Sequence, residues 1–352
     1  MIRVLVAEDS PTTRQWLVSI LRSDPEIEVV GEAKNGQEAV ELTHNLRPHV
    51  VAMDIVMPVM DGFEATKRIM VATPTPIVII SNTVDVREVK VALKALKAGA
   101  LTVGKKPGGP GTQDNDLESS IFVSTLKIMS QVKVVGHWAD RSILKPDATP
   151  LAFLRKLPIG KKGGIVAIAT STGGPAALNK IFSELPGDFP APILVVQHMA
   201  KGFMEGCATW LNENSNLRVK LGEEGEILAP GTVYMAGDDL QMGVSQHSTL
   251  HLTSADPILG FRPSGTYLFE SVARAYGSSV LALVLTGMGS DGVAGLKSVK
   301  EAGGWIVAQD QDSSVVFGMP EEAIKSGQTD FVLPLGEIAP LMMEMIPAEV
   351  KK

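Results

Sequence analysis

Ile2-Arg3-Val4-Leu5-Val6-Ala7-Glu8-Asp9-Ser10-Pro11 decides the fold of the first half of this chain. Six nearly all-apolar residues are too few for a buried helix and suit a strand covered on both faces, as parallel strands are. Two acids end the run. Ser10 then has the chemistry of an N-cap and Pro11 that of a first helical residue, so a helix is expected from about Thr12 to Leu21. The same alternation continues outward. Strands are expected at Glu28–Gly31, His49–Met53, Pro76–Ile80 and Leu101–Val103. Helices are expected at Gln37–Leu46, Phe63–Val71, Val86–Ala98 and from about Leu117 to Val132. Five such βα units make an open doubly wound sheet, whose site lies beyond the carboxyl ends of its strands.

The rest of the composition bounds the problem. The 352 residues are 45% hydrophobic and 20% charged, which suits two globular domains. No apolar run is long enough to span a bilayer, and the early Glu8-Asp9 pair is unlike a signal peptide, so no membrane insertion is expected. The single cysteine, Cys207, excludes an internal disulfide and fits a reducing, cytoplasmic setting. A net charge of −7 argues against a nucleic-acid partner. Residues 135–162 run against that trend: they are net basic, carry Pro146, Pro150 and Pro158, and end in Gly160-Lys161-Lys162-Gly163-Gly164. They read as a linker between a domain at 1–134 and one at 163–346.

Within the first domain, the expected strand ends carry Glu8-Asp9, Asp54, Ser81 and, after the fifth, Lys106-Pro107. Three carboxylates at one edge repel one another. A divalent cation with a taste for hard oxygen, Mg²⁺, relieves this. A carboxylate there can also attack phosphorus and form an acyl phosphate, with the lysine and the Ser81 hydroxyl contacting the phosphoryl group. Any one acid at a strand end is ordinarily just solvated; the whole set at the right ends is harder to explain that way.

The motifs Val6-Ala7-Glu8-Asp9-Ser10, Met53-Asp54-Ile55-Val56-Met57-Pro58, Met60-Asp61-Gly62 and Lys105-Lys106-Pro107 resemble those of response-regulator receiver domains. That resemblance implies a flavodoxin-like domain in which Asp54 is the phospho-acceptor. Glu8, Asp9, Asp54 and the Val56 carbonyl would organise Mg²⁺, and Ser81 and Lys106 would form the switch. A sensor histidine kinase would be the phosphodonor. It also implies a cis Lys106–Pro107 bond. Receivers usually carry an aromatic three residues before the lysine; here Val103 stands there.

The second domain opens on another buried-strand run, Gly164-Ile165-Val166-Ala167-Ile168-Ala169, followed by Thr170-Ser171-Thr172-Gly173-Gly174-Pro175 and a helical stretch, Ala176–Leu185. Ser171 therefore sits on a strand-to-helix turn like a nucleophile elbow. The same turn also suits simple anion binding. His198, at the end of the strand Ile193–Val196, is the histidine placed to serve as a base. His247 and His251, on an alternating stretch at Gln246–Leu252, read as surface residues. Val280–Leu285 is a third strand and leads to Asp291 in Gly287-Met288-Gly289-Ser290-Asp291-Gly292. Those glycines also match a dinucleotide fingerprint with Asp310 downstream, which would make the chain an oxidoreductase. An acid inside that turn, however, would repel a pyrophosphate.

Ser171-Thr172-Gly173-Gly174, Gln197-His198-Met199, Gly202-Phe203, Arg262-Pro263-Ser264, Leu285-Thr286-Gly287-Met288-Gly289, Asp291-Gly292, Ala308-Gln309-Asp310 and Val315-Val316-Phe317-Gly318-Met319-Pro320 resemble the catalytic domain of chemotaxis protein-glutamate methylesterases. The resemblance implies a Rossmann-like domain in which Ser171 is nucleophile, His198 base and Asp291 orienting acid, with Thr172 and the Met288 N–H near the oxyanion. The substrate implied is the glutamate γ-methyl ester of methylated chemoreceptors, hydrolysed to methanol without a cofactor, and glutamine deamidation is a second activity of related chains. Phosphorylation of Asp54 would relieve cover of the Ser171 site. A phospho-regulated adaptor with an idle or retargeted esterase site is the competing reading. Three positions depart from the family pattern: Gln241 and Phe261, each where histidine is common, and Thr266, where aspartate is common.

Overall fold

The computed structural model describes residues 1–81, 86–109, 115–132, 134, 164–245 and 247–347. The chain divides into two units, Met1–Lys145 and Pro146–Lys352. The expected linker at 135–162 lies outside the described residues.

In the first unit β1 (Ile2–Ala7), β2 (Ile27–Ala33), β3 (Val50–Asp54), β4 (Ile77–Ser81) and β5 (Thr102–Lys105) form one sheet in the order β2-β1-β3-β4-β5. Every neighbouring pair is parallel. The helices are α1 (Pro11–Arg22), α2 (Gly36–Leu46), α3 (Gly62–Ala72), α4 (Val86–Lys97) and α5 (Asn115–Met129). The first three start where short polar side chains can bind free backbone N–H groups. Ser10 accepts from Thr13 N, Asn35 from Glu38 N at 2.9 Å and Asp61 from Glu64 N at 2.8 Å. All five residues of β3 and of β4 are buried, which accounts for their near-continuous apolar sequence. The order reverses between β1 and β3, so Glu8-Asp9 and Asp54 flank the topological switch point, where such sheets bind ligands.

The second unit contains a seven-stranded sheet made of β6 (Ile165–Thr170), β7 (Ile193–Gln197), β8 (Arg218–Leu221), β9 (Thr232–Met235), β12 (Val280–Val284), β13 (Trp305–Gln309) and β14 (Phe331–Leu333). Their order is β14-β13-β12-β6-β7-β9-β8, and every pair is parallel. The chain enters at the centre on β6, builds one wing through β7–β9, then crosses to build the other from β12. The switch point therefore lies between β6 and β12.

The helices of this unit are α6 (Gly174–Glu184), α7 (Met204–Glu213), α8 (Gly265–Tyr276), α9 (Val293–Glu301), α10 (Met319–Lys325) and α11 (Leu335–Met345). The core joins Ile165, Ala167 and Ala169 of β6 to Val280, Ala282 and Val284 of β12 and to Leu268, Phe269 and Val272 of α8. Between β9 and α8 a separate antiparallel ribbon is inserted, β10 (Gln241–Val244) with β11 (Leu250–Thr253). The expected strand over Gln246–Leu252 is thus shorter: Ser245 N donates to Thr249 O and Ser248 takes φ 57°, so the chain turns there before β11 begins. His247 and His251 are exposed, as expected.

Candidate active site

In the first unit the strand register brings the acids together. Ala7 pairs with Met53, Asp54 with Ile80 and Ser81 with Lys105, so Glu8, Asp54, Ser81 and Lys106 emerge side by side. The side chains of Glu8, Asp9 and Asp54 offer oxygens that lie within 4.8 Å of one another. Glu8 and Asp54 are buried, whereas Asp9 is exposed. Lys106 Nζ lies 2.7 Å from Glu8 Oε2 and 2.9 Å from Asp54 Oδ2. Burial raises the carboxyls of Glu8 and Asp54 above their ordinary range, and their mutual repulsion adds to this for Glu8; one ammonium does not offset it. Burial would lower Lys106, but the two carboxylates outweigh it and hold its ammonium above the usual value. An all-oxygen donor set with surplus negative charge suits a hard divalent cation such as Mg²⁺.

Ser81 is buried at the end of β4, and its carbonyl accepts from Lys106 N at 3.0 Å. Val56 is 55% exposed on the loop after Asp54. Val103 is a buried β5 residue opposite Ile79. The expected cis Lys106–Pro107 bond is not found; among the described residues only Arg262–Pro263 is cis. Trans is the ground state of such bonds. Here the ion pairs of Lys106, and Gly108, whose carbonyl accepts from Trp16 Nε1 at 2.8 Å and whose N–H donates to Glu118 at 2.8 Å, fix the loop without it.

In the second unit three loops meet at the switch point. Thr170 pairs with Gln197 in the register of β6 and β7, so Ser171 and His198 are the next residue along each strand. On the other side Ser171 N donates to Thr286 O at 3.1 Å. Thr286 stitches the turns together: its Oγ donates to Thr172 O at 2.9 Å and accepts from Val316 N at 3.0 Å. Gly287 packs directly on the serine. A Cβ there would lie 2.7 Å from Ser171 Cβ, so only glycine lets the Gly287-Met288 backbone approach. Ser171 is partly exposed and Met288 45% exposed.

The imidazole of His198 lies with Nε2 3.0 Å from Asp291 Oδ2. Both ring nitrogens are buried, and neither has a well-aligned hydrogen-bond partner among the described residues, so the approach of Nε2 to Asp291 is a close polar contact. Asp291 is itself heavily engaged. Its Oδ1 accepts from Ser264 Oγ at 2.6 Å and Thr266 N at 3.2 Å, and its Oδ2 accepts from Gly265 N at 2.6 Å. The carboxylate thus sits on the N-terminus of α8, where free N–H groups favour negative charge. Burial alone would raise it; His198, Ser264 and Gly265 outweigh that and hold it below the usual carboxylate range. The rival dinucleotide reading does not survive this geometry, since Asp291 turns inward and Asp310 caps its own loop through Ser313 N at 3.0 Å.

Four residues here escaped the reading of the sequence as site residues. Gln197 donates from Nε2 to the carbonyls of Ser171 (2.8 Å) and His198 (2.7 Å). Ser264 and Thr286 act as described. Gln241 Oε1 accepts from Ser264 N at 2.8 Å. The signal was faint but present: Gln197, Ser264 and Thr286 all fall inside motifs, and the departures at Gln241, Phe261 and Thr266 cluster on this one frame. Cys207 plays no part, since burial on α7 pushes its thiol up to about 12.

Fold and sites together define a class: a receiver-type doubly wound unit joined to a second doubly wound unit with serine, histidine and aspartate gathered at the carboxyl ends of its central strands. The profile of the response regulator receiver domain matches residues 4–115, and that of CheB methylesterase matches residues 166–342. The chain belongs to the CheB methylesterase family. It is 50% identical over 338 residues to "Protein-glutamate methylesterase/protein-glutamine glutaminase 4" of Myxococcus xanthus, covering 96% of this chain and 95% of that one. It is 46% identical to the protein-glutamate methylesterase/protein-glutamine glutaminase of Nitrosospira multiformis, covering 98% and 97%. Among solved structures, the Thermotoga maritima CheB methylesterase catalytic domain matches with a TM-score of 0.51 at 42% identity, covering 53% of this chain and all of that one.

Proposed function

We propose that this enzyme hydrolyses glutamate γ-methyl esters on methylated chemoreceptors and that phosphorylation of Asp54 raises its rate. The observation that carries the hydrolytic half is the His198–Asp291 pair, 3.0 Å apart, on strand ends next to that of Ser171, with Nδ1 of His198 as the ring nitrogen turned away from Asp291. Ser171 Oγ attacks the ester carbonyl and gives its proton to His198. Asp291 balances the imidazolium charge. The oxyanion develops beside the Thr172 and Met288 turns, where backbone N–H groups can bind it. His198 then protonates methoxide, which leaves as methanol. Water, deprotonated by His198, attacks the acyl-serine, and its proton returns to Ser171 as the glutamate carboxylate leaves. With a glutamine substrate the leaving group is ammonia. No step requires a cofactor.

In the first unit Glu8, Asp9, Asp54 and the Val56 carbonyl would hold Mg²⁺, which when bound supplies positive charge to phosphoryl oxygens. Asp54 accepts the phosphoryl group from a sensor histidine kinase, Lys106 shifts from carboxylate to phosphoryl oxygen, and Ser81 hydrogen-bonds the group. A kinase phosphodonor and a single buried cysteine support a cytoplasmic setting. No described helix is long and apolar enough to cross a membrane.

The test is methanol release from methylated receptor, with and without acetyl phosphate and Mg²⁺. Ser171→Ala is expected to lower turnover by roughly 10⁴-fold or more. Asp54→Asn is expected to keep basal turnover and lose the response to acetyl phosphate. Near-normal hydrolysis in the first variant, or full activation in the second, overturns the corresponding half.

A further inference from the structure

The face of the His198 ring is covered. Phe261 lies parallel to it, ring centroids 4.4 Å apart and planes 10° apart. The histidine is otherwise tied by its backbone, His198 N to Thr170 O at 2.9 Å and its carbonyl to Gln197 Nε2 at 2.7 Å, and by one edge atom at Asp291. The backbone ties do not fix the ring about its Cβ–Cγ bond, and the single contact at Nε2, which lies near that axis, opposes the rotation only weakly. A flat ring on its face removes that freedom, and a flexible aliphatic side chain would not do so as well.

Phe261 is itself held in place. Ile258 and Phe261 exchange backbone hydrogen bonds of 3.0 and 2.9 Å around a two-residue turn, with Leu259 at φ 51° and Gly260 at φ 83°. Both signs suit a type I′ turn, which fixes the direction of the chain on either side. The buried Gln241 staples this segment from the β10 side. Its Nε2 donates to Phe261 O at 3.3 Å and to Asp256 O at 3.2 Å, while its Oε1 takes Ser264 N. Three residues past Phe261, Ser264 holds Asp291. One segment thus steers both members of the histidine–aspartate pair.

We propose that Phe261 is a positioning residue for hydrolysis: its ring fixes the plane of His198 so that one nitrogen stays on Asp291 while the other meets Ser171. This deepens the triad reading and rests on it. Acid–base catalysis is sensitive to such placement, because an ångström of error can cost orders of magnitude in rate. A stacked pair contributes enough to make the effect roughly ten-fold.

The experiment uses the full-length chain and methylated receptor. Phe261→Leu is expected to lower kcat for methanol release about ten-fold with KM within two-fold of wild type, while Phe261→Tyr, which keeps the ring, stays within about two-fold in both. Should Phe261→Leu fail to fold, Phe261→Met carries the same expectation. In selectively histidine-labelled protein, the His198 ring protons are expected upfield in wild type and Phe261→Tyr, from the ring current of the stacked face, and displaced downfield without the ring. Wild-type kcat in Phe261→Leu overturns the proposal. So does a rise in KM alone, which makes Phe261 a substrate contact, and so does equal loss in the Tyr variant. Ser171→Ala, measured alongside, separates the two levels: if it remains active, the triad reading falls and this proposal with it; if it is dead while Phe261→Leu is unimpaired, only this proposal falls.

Discussion

At the scale of single residues the second unit turns on how Asp291 stays charged out of water. Four contacts, two of them backbone N–H groups at the start of α8, keep its carboxyl below the ordinary range. The sign of the linkage follows. A depressed carboxyl contributes stability above its unfolded value of about 3.9, and that stability is lost as pH falls through the lower folded value. Ser264 uses both ends of its hydroxyl, donating to Asp291 Oδ1 and accepting from Thr266 N as the cap of α8. Ser264→Ala is therefore expected to cost about 2–3 kcal/mol at pH 7, the sum of a cap and a charged hydrogen bond. Its acid unfolding should begin at higher pH than in wild type. Urea titrations at pH 7 and along a descending pH series check both, and equal stability at pH 7 would remove Ser264 from the account.

At the scale of elements, the site depends on close packing between the end of β7 and the start of α6. Gly174 leaves room for the Gln197 side chain: a Cβ there would fall 2.0 Å from Gln197 Oε1 and 2.6 Å from Thr170 Oγ. Gly174→Ala must push Gln197 off the carbonyls of Ser171 and His198. The expected result is a loss of about 1–3 kcal/mol and a fall in kcat larger than stability explains, measured by urea unfolding beside methanol release. The strands and helices themselves were legible in the sequence, because apolar runs, caps and glycine turns are local signals. α1 begins at Pro11 and β3 ends at Asp54 for reasons visible within four residues. The places of Ser171, His198 and Asp291 in the fold were legible for the same reason, each on the loop after an apolar strand. Gln197, Gln241 and Ser264 were not, because their partners lie 23 to 27 residues away, or across strands, and only three-dimensional register joins them. The β10–β11 ribbon was half legible: its second strand alternates, but the turn at Ser245–Thr249 shortens it.

At the scale of the whole molecule, two sheets of the same doubly wound kind carry two chemistries, each at a switch point between parallel strands. Each has its own core, so each unit is expected to give its own calorimetric transition. In the first, Glu8 and Asp54 have carboxyls raised by burial. A raised carboxyl contributes stability below its unfolded value and loses it as pH rises through the folded value, so at neutral pH both weigh against the fold. Asp54→Asn should raise the Tm of the first unit's metal-free transition, with Glu8 still holding Lys106, and shrink the further rise that Mg²⁺ gives wild type. Scanning calorimetry with chelator and with Mg²⁺ decides this, and a lower Tm in the Asn variant would refute it. In the second unit, Ser171 hangs from β6 and the Asp291 turn from β12, the paired middle strands of the sheet, with all eleven of their residues buried. Fraying of β8 or β14, the edges of the sheet, leaves both strands paired, so hydrolysis by the proposed triad is expected to outlast such fraying and to be lost on heating when the central strands, or the Phe261 segment that rests on them, give way.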